Sequence, residues 1–239
     1  MFRRLAANTF KRCYTYSKGP SSFTVKPKPQ QRRWVPWAIF GTSFITGLLL
    51  TQHMTLTDLL AFWKYDKLPQ GSPEVDQYKL ELTQRCENLS VVKQLKQAGF
   101  TEVFPNRHQN DLLVANTLDT PGGIAVAPRF YHNPLTKETV GIYHLGMKLT
   151  GYPFIVHGGI LATVLEDLMQ EAVKITRAKP GKKTKELVLS YKMPTFANQF
   201  VVVRTTKVEE FGKNTKLHAQ IMDQTGNTTL INGKGTFST

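Results

Sequence analysis

A histidine followed by two glycines, His157-Gly158-Gly159, opens the most chemically suggestive segment of this chain. Glycine weakens a helix by about 1 kcal/mol relative to alanine, so two glycines at the mouth of an amphipathic helix need a reason. One reason is a tight strand-to-helix turn, where glycine relieves crowding. The other is a ligand oxygen that approaches the free N–H groups at the positive helix end, where developing negative charge is stabilised. The spacing alone leaves both interpretations open.

Two acidic residues, Glu166 and Asp167, follow on the same predicted helix. Glu166 shares a flank with Ala162 and Gln170, beside the apolar stripe of the helix. A carboxylate at the edge of an apolar surface is expected to have a raised pKa and can act as a general base. The alternative is a solvated helix carboxylate, which is the commoner fate of glutamate. Asp167 is the rival candidate for the same role.

The distance between these two groups constrains any shared chemistry. Gly158 and Glu166 are separated by about 12 Å along a helix axis. Reacting groups must come within about 3 Å of their targets, so one helix cannot bring both to the same carbonyl group. Two antiparallel helices from two copies of the chain can do so. If the site is catalytic, we therefore expect a two-fold dimer with two equivalent sites.

The elements that must position these residues follow from hydrophobic periodicity. Apolar residues recurring at helical spacing predict one long amphipathic helix from Gly158 to Ile175. Two-residue alternation predicts six strands, over residues 112–118, 139–149, 186–193, 200–208, 216–222 and 229–237. One helix embraced by an antiparallel sheet of five to six strands is an α+β architecture, and the order of elements suggests the hotdog fold.

A second helical segment is predicted ahead of this domain. Ser72 and Pro73 fit the cap and the first position of a helix that runs to about Ala98, with an interruption near residues 88–90. Gly99 is a natural stop. We interpret residues 58–109 as a helical linker region and residues 110–239 as the hotdog domain.

Positive charge is concentrated at the N-terminus. Residues 1–33 hold nine Lys and Arg and no acidic residue, which is most of the formal net charge of +14. This composition predicts a mitochondrial presequence with a basic linker. A disordered basic tail is the alternative. Because the charge sits in this segment, we expect no nucleic-acid partner.

The next 24 residues, 34–57, carry no formal charge. Their length and the tryptophans Trp34 and Trp37 at one end predict a single transmembrane helix in the mitochondrial inner membrane. A buried helix of the globular domain is the alternative. The basic N-terminal flank predicts an N-terminus in the matrix and a hotdog domain in the intermembrane space.

The segment from Pro153 to Glu166 resembles the HGGxxAT-x-x-[D/E] motif of hotdog acyl-CoA thioesterases, in the branch of phenylacetyl-CoA and mitochondrial acyl-CoA thioesterases. Leu189 to Thr195 resembles the strand that follows in that family. The likeness covers about residues 110–239. The whole chain is similar to uncharacterised fungal mitochondrial membrane proteins of this superfamily.

The resemblance implies roles for individual residues. The backbone N–H of Gly158 would polarise the thioester carbonyl, Glu166 would activate water or attack directly, and Thr184 would help to hold the water. It also implies a homodimer or a dimer of dimers, with acyl-CoA as substrate and no cofactor or metal. The expected substrate-binding residues are His157, Gly159, Lys182 and Lys183. The two lysines would meet the phosphates of coenzyme A, or they are solvated loop residues.

One departure from the family pattern bears on activity. Relatives often carry Asn or Gln six residues before the histidine, where this chain has Gly151. Thr150 or Tyr152 would have to replace the missing side-chain donor. Hydrolysis of acyl-CoA thioesters is therefore the leading hypothesis, and a non-catalytic hotdog domain that binds acyl-CoA or serves assembly is the alternative.

Overall fold

The computed structural model describes residues 34–53, 55–69, 71–104, 113–177 and 183–238. The predicted presequence, residues 1–33, and the candidate Lys182 lie outside the described residues. By its internal contacts the chain divides into two compact units, residues 1–45 and residues 46–239.

Helix α1 spans Trp34–His53, inside the segment that was expected to cross a membrane. Its Trp34 and Trp37 side chains are exposed. Among the described residues, no helix combines the length and the apolarity that a membrane crossing requires. The expected transmembrane helix over residues 34–57 is not shown; helix α1 is shorter, and proline, glycine, serine and threonine residues dilute its apolar ones.

Three further helices and a short 3₁₀ turn precede the sheet. They are α2 (Leu56–Trp63), the turn Tyr65–Lys67, α3 (Pro73–Asn88) and α4 (Ser90–Gln97). The predicted interruption is confirmed, because Leu89 leaves the helical conformation between α3 and α4. Pro73 occupies the predicted first position, although the Ser72 hydroxyl makes no capping bond. Gly99 follows α4 with φ of 80°, a left-handed conformation that glycine adopts without strain.

In the part of the chain that the structure describes, nine strands and one long helix follow. The strands are β1 (Thr101–Val103), β2 (Arg129–Asn133), β3 (Glu138–Leu145), β4 (Thr150–Tyr152), β5 (Ile155–Val156), β6 (Lys183–Tyr191), β7 (Gln199–Phe211), β8 (Asn214–Met222) and β9 (Thr229–Ser238). Helix α5 spans Gly158–Arg177, as predicted. Seven strands form an antiparallel sheet in the order β1-β2-β3-β7-β8-β9-β6, and β4 pairs with β5. The α+β class with a long central helix and an antiparallel sheet is confirmed.

Two predicted strands differ from the observed elements. Leu113–Thr117 forms a π-helical turn where a strand was expected over residues 112–118. The strand expected over residues 139–149 ends at Leu145, and Met147–Leu149 makes a 3₁₀ turn. Alternation of apolar residues over so few positions does not distinguish a strand from a single buried turn.

The sheet is covered by helices on both faces. Leu161, Leu165 and Leu168 of α5 pack into a core with Val201 and Val203 of β7. On the opposite face, α2, α3 and α4 form a second core with neighbouring side chains of β7, Phe200 and Val202. This explains the continuous apolar run over residues 200–203 of β7, since both faces of the strand are buried there. The helices of residues 58–97 thus belong to the packed domain.

Candidate functional site

The start of α5 is fixed by hydrogen bonds on both sides of the histidine. The N–H of His157 donates to the carbonyl of Leu149 at 2.8 Å, and the carbonyl of His157 accepts from Ile160 at 3.0 Å. The hydroxyl of Tyr191, at the end of β6, donates to the carbonyl of Gly158 at 2.9 Å. No described residue accepts a hydrogen bond from the N–H of Gly158. This N–H, at the positive end of the helix, is a donor for a ligand oxygen.

The imidazole of His157 is held by its neighbour in the motif. The N–H of Gly159 donates to Nδ1 of His157 at 3.0 Å. Because Nδ1 accepts, the neutral ring carries its proton on Nε2. The exposed His157 therefore offers an Nε2–H donor to a ligand. The N–H of Gly159, which was expected to bind substrate, is engaged with the histidine.

Gly151 provides the space in which this ring lies. A Cβ atom on Gly151 would lie 2.8 Å from Cδ2 of His157, which is too close for a real contact. Of the two expected substitutes for the missing amide, Thr150 donates its hydroxyl to the carbonyl of Met147 at 2.8 Å. The other, Tyr152, is 77% exposed. Position 151 therefore supplies no side-chain donor. Its glycine instead leaves room for the ring of His157.

We expect Gly151→Asn to displace the His157 ring and to lower the free energy of unfolding by about 1–3 kcal/mol, the usual cost of overpacking. Urea denaturation of the two proteins measures this difference. Gly41→Asn is the control, because a Cβ atom at Gly41 meets no atom within 4 Å. A Gly151→Asn protein as stable as the parent would contradict the packing of His157 on Gly151.

The carboxylate of Glu166 lies in a small polar cluster on the flank of α5. The hydroxyl of Thr184, at the beginning of β6, donates to Oε1 of Glu166 at 2.5 Å. Nε2 of Gln170 donates to the same oxygen at 3.3 Å and lies 3.4 Å from the Thr184 hydroxyl. Glu166 is half-buried, so this oxygen is held in a defined position. Sequence reasoning placed Gln170 on the flank of Glu166 but assigned it no role.

The rival carboxylate has a different environment. Oδ2 of Asp167 accepts a hydrogen bond at 2.8 Å from the hydroxyl of Tyr143, a fully buried residue of β3. This contact ties α5 to the sheet. The geometry therefore gives Asp167 an anchoring contact and leaves Glu166 beside the hydroxyl of Thr184.

The structure brings the predicted residues together in two groups. His157, Gly158 and Gly159 form one group, and Glu166 with Thr184 forms the other. Both groups lie along the continuous helix α5, about 12 Å apart along its axis. They do not meet within one copy of the chain. Lys183 begins β6, and Tyr191 at the other end of that strand is a contact of Gly158 that spacing alone does not reveal.

Within the described part of the chain, no three His, Cys, Asp or Glu side chains cluster in a way that could hold a metal ion. The chemistry available at the two groups is that of a carboxylate, a hydroxyl and N–H donors. This set suits proton transfer and the stabilisation of an oxyanion.

No family model matches the sequence. The chain is 54% identical over 240 residues to the uncharacterized mitochondrial membrane protein FMP10 of Saccharomyces cerevisiae, and the match covers 100% of this chain and 96% of the yeast protein. This confirms the similarity of the whole chain to an uncharacterised fungal mitochondrial membrane protein.

Similar solved structures come from the thioesterase superfamily. One protein of this superfamily matches with a TM-score of 0.46 and 16% identity, over 77% of this chain and 91% of that chain. A hypothetical thioesterase from Streptococcus pneumoniae, solved with coenzyme A, has a TM-score of 0.39 and 17% identity, over 42% of this chain and 79% of that chain. Because both scores are below 0.5, the fold assignment depends on the strand order and the central helix described above.

Proposed function

The chain belongs to the family of the yeast mitochondrial membrane protein FMP10, and we propose that it is a membrane-attached mitochondrial hydrolase of acyl-CoA thioesters. The motif that begins at His157 supports this substrate class through its resemblance to hotdog acyl-CoA thioesterases. Glu166 acts as the general base, Thr184 holds the attacking water, and the N–H of Gly158 binds the carbonyl oxygen.

One observation carries the proposal: the two groups lie at opposite ends of the same edge strand. Thr184, which contacts Glu166, is near the beginning of β6, and Tyr191, which contacts Gly158, is its last residue. Strand β6 is the terminal strand of the seven-stranded sheet. The free edge of such a strand is a template for pairing with another chain.

A homodimer follows from this arrangement. Antiparallel pairing of β6 with β6 of a second copy, centred between Leu187 and Val188, places Thr184 opposite Tyr191 of the partner subunit. Paired strands lie about 4.8 Å apart, so Glu166 of one copy approaches Gly158 of the partner subunit. Two equivalent sites result from the two-fold symmetry. A dimer of dimers would repeat this unit.

The reaction at each site needs no cofactor. Glu166 accepts a proton from water while the water oxygen attacks the thioester carbonyl carbon. The carbonyl oxygen becomes an oxyanion, which the N–H of Gly158 and the Nε2–H of His157 stabilise from the partner subunit. The carbon–sulfur bond then breaks, and the thiolate of coenzyme A takes up the proton from Glu166. Lys183, the first residue of β6, and Lys182, which precedes it in the sequence, would attract the phosphates of coenzyme A.

The location of the protein is part of the same proposal. The name of the yeast relative and the basic N-terminal segment support a location at a mitochondrial membrane, for which we propose the inner membrane. The charge asymmetry around residues 34–57 favours a matrix N-terminus and a domain in the intermembrane space. Protease protection in intact and swollen mitochondria distinguishes the two orientations.

The proposal is tested with the purified full chain and a panel of short, long and aromatic acyl-CoA esters. Release of free coenzyme A is followed with a thiol reagent. We expect hydrolysis of at least one class. Absence of hydrolysis across the panel would contradict the enzymatic function.

The absence of a side-chain donor at Gly151 favours one second candidate, a non-catalytic domain that binds acyl-CoA or serves assembly. In that case acyl-CoA raises the melting temperature without release of coenzyme A, because a ligand that binds only the folded state stabilises it.

A further inference from the structure

Helix α2 turns its polar side toward the protein and its apolar side outward. Asp58 and Ala61 are buried, at 1% exposure each. Leu56, Leu59 and Trp63 are 73%, 48% and 72% exposed. These three residues recur at i, i+3 and i+7 and form one stripe, which we call the α2 stripe. In a helix of a globular domain such a stripe normally faces the core.

A buried ion pair fixes this unusual orientation. Oδ1 of Asp58 accepts from the hydroxyl of Tyr78 and from a guanidinium nitrogen of Arg85, each at 3.1 Å. Oδ2 of Asp58 accepts from the N–H of Thr55 at 3.0 Å and completes the capping box of α2. Rotation of α2 about its axis to bury the α2 stripe would separate the carboxylate of Asp58 from Arg85. An unpaired buried charge is strongly unfavourable. The outward stripe is therefore a stable feature of the domain.

The charges around the stripe indicate what covers it. Two of the nearby carboxylates are paired with a cation within the fold, Asp58 with Arg85 and Asp66 with Lys148 at 2.7 Å, and a third, Glu81, is half-buried and accepts a hydrogen bond from the hydroxyl of Thr57 at 3.3 Å. The exposed lysines that follow the stripe, Lys64 and Lys67, are then the charges presented beside it. Apolar side chains, a tryptophan and adjacent lysines are the combination that favours the interface of an anionic bilayer.

The position of α2 directly after α1 in the sequence also favours a bilayer as the partner of the α2 stripe. The α2 stripe begins three residues after the end of α1, whose large apolar side chains are exposed, including Ile39, Phe40 and Phe44. Exposed apolar patches of this kind mark sites of contact with a membrane or with another protein.

We propose that the α2 stripe lies in the headgroup region of an anionic phospholipid bilayer and holds the catalytic domain in one orientation at the membrane. This inference rests on the membrane attachment proposed above. The ion pair of Asp58 with Arg85 then transmits the orientation of α2 to the sheet. A second copy of the chain is the competing occupant.

Tryptophan fluorescence tests the contact in the full chain. The chain has three tryptophans, so Trp34→Phe with Trp37→Phe leaves Trp63 as the sole reporter. The vesicles contain phosphatidylcholine and phosphatidylglycerol, with acyl chains that are either brominated or unmodified. We expect Trp63 emission to shift to shorter wavelength on lipid and to be lost as brominated lipid replaces its counterpart. The control protein also carries Trp63→Phe, and Phe211→Trp provides its only tryptophan. Phe211 lies in β7 and is 61% exposed. We expect brominated lipid to leave the emission of this tryptophan unquenched.

The possible outcomes distinguish docking of α2 on the bilayer from attachment of the chain to the membrane. Flotation of the chain with vesicles while Trp63 remains unquenched would overturn docking of α2 and leave membrane attachment intact. Failure to float would overturn both. A shift of Trp63 emission that depends on protein concentration and is insensitive to brominated lipid would assign the α2 stripe to a second copy and overturn the inference. None of these readouts depends on hydrolysis of acyl-CoA.

Discussion

Replacement of Glu166 by glutamine is expected to reduce hydrolysis of acyl-CoA thioesters by about 10²–10⁴-fold, the usual contribution of a general base. Glutamine keeps an oxygen that can accept from the hydroxyl of Thr184, so the fold and the position of the side chain are preserved. Only the ability to take a proton from water is lost. The measurement is kcat for release of coenzyme A, together with a melting temperature that should remain close to that of the parent.

Two further variants make this experiment decisive. Glu74→Gln makes the same chemical change on the first turn of α3 and should leave kcat unchanged. Asp167→Asn tests the rival carboxylate, whose hydrogen bond with the buried Tyr143 suggests a loss of stability instead. Loss of activity in Asp167→Asn with retention in Glu166→Gln would contradict the assignment of the base.

The central helix and the last strands were predictable because their signals are long and regular. Helix α5 carries an apolar stripe over five turns, and β8 alternates strictly between buried and partly exposed residues. The contact of Glu166 with Thr184 followed from the family motif, which fixes the spacing of residues on adjacent elements. The break at Leu89 was visible because Asn88 and Ser90 flank it.

Other features depend on tertiary contacts that a sequence pattern does not encode. Strands β1 and β2 are short, and their place in the sheet depends on pairing of β1 with β2 and of β2 with β3. Helix α2 was not predicted from the sequence, and the surface that it turns outward depends on the ion pair of Asp58 with Arg85, 27 residues later. The packing of the His157 ring against Gly151 was not predicted, because a glycine in a sequence does not indicate which side chain will pack against it.

A fully buried histidine lies on the face of β3 that packs against the helical layer. His144 is 0% exposed, and its ring centroid lies 5.1 Å from that of Phe200. Neither ring nitrogen has a hydrogen-bond partner among the described residues. Burial lowers the pKa of His144 to about 4; the nearby carboxylate of Asp58 opposes this shift and Arg85 adds to it. The neutral form is therefore the one that the folded protein stabilises.

We expect the free energy of unfolding to fall by about 3 kcal/mol between pH 6.5 and pH 4 because of this residue alone. The pKa of His144 is lower in the folded protein than in the unfolded chain, so the unfolded chain binds a proton first as pH falls. The stabilisation is complete above the unfolded pKa, is lost progressively toward pH 4, and changes no further below it. Urea denaturation at a series of pH values measures the slope.

His144→Leu should remove this part of the slope, because leucine fills a similar volume and binds no proton. The carboxylates that also titrate in this range are common to both proteins, and their contribution cancels in the difference. His218→Gln is the matched control, since His218 is only partly buried on β8 and its pKa is lowered by burial and by Lys234 to a smaller extent. An equal slope in the parent and the His144→Leu protein would mean that His144 becomes protonated within the folded protein, which requires the helical layer over β3 to admit water at mildly acidic pH.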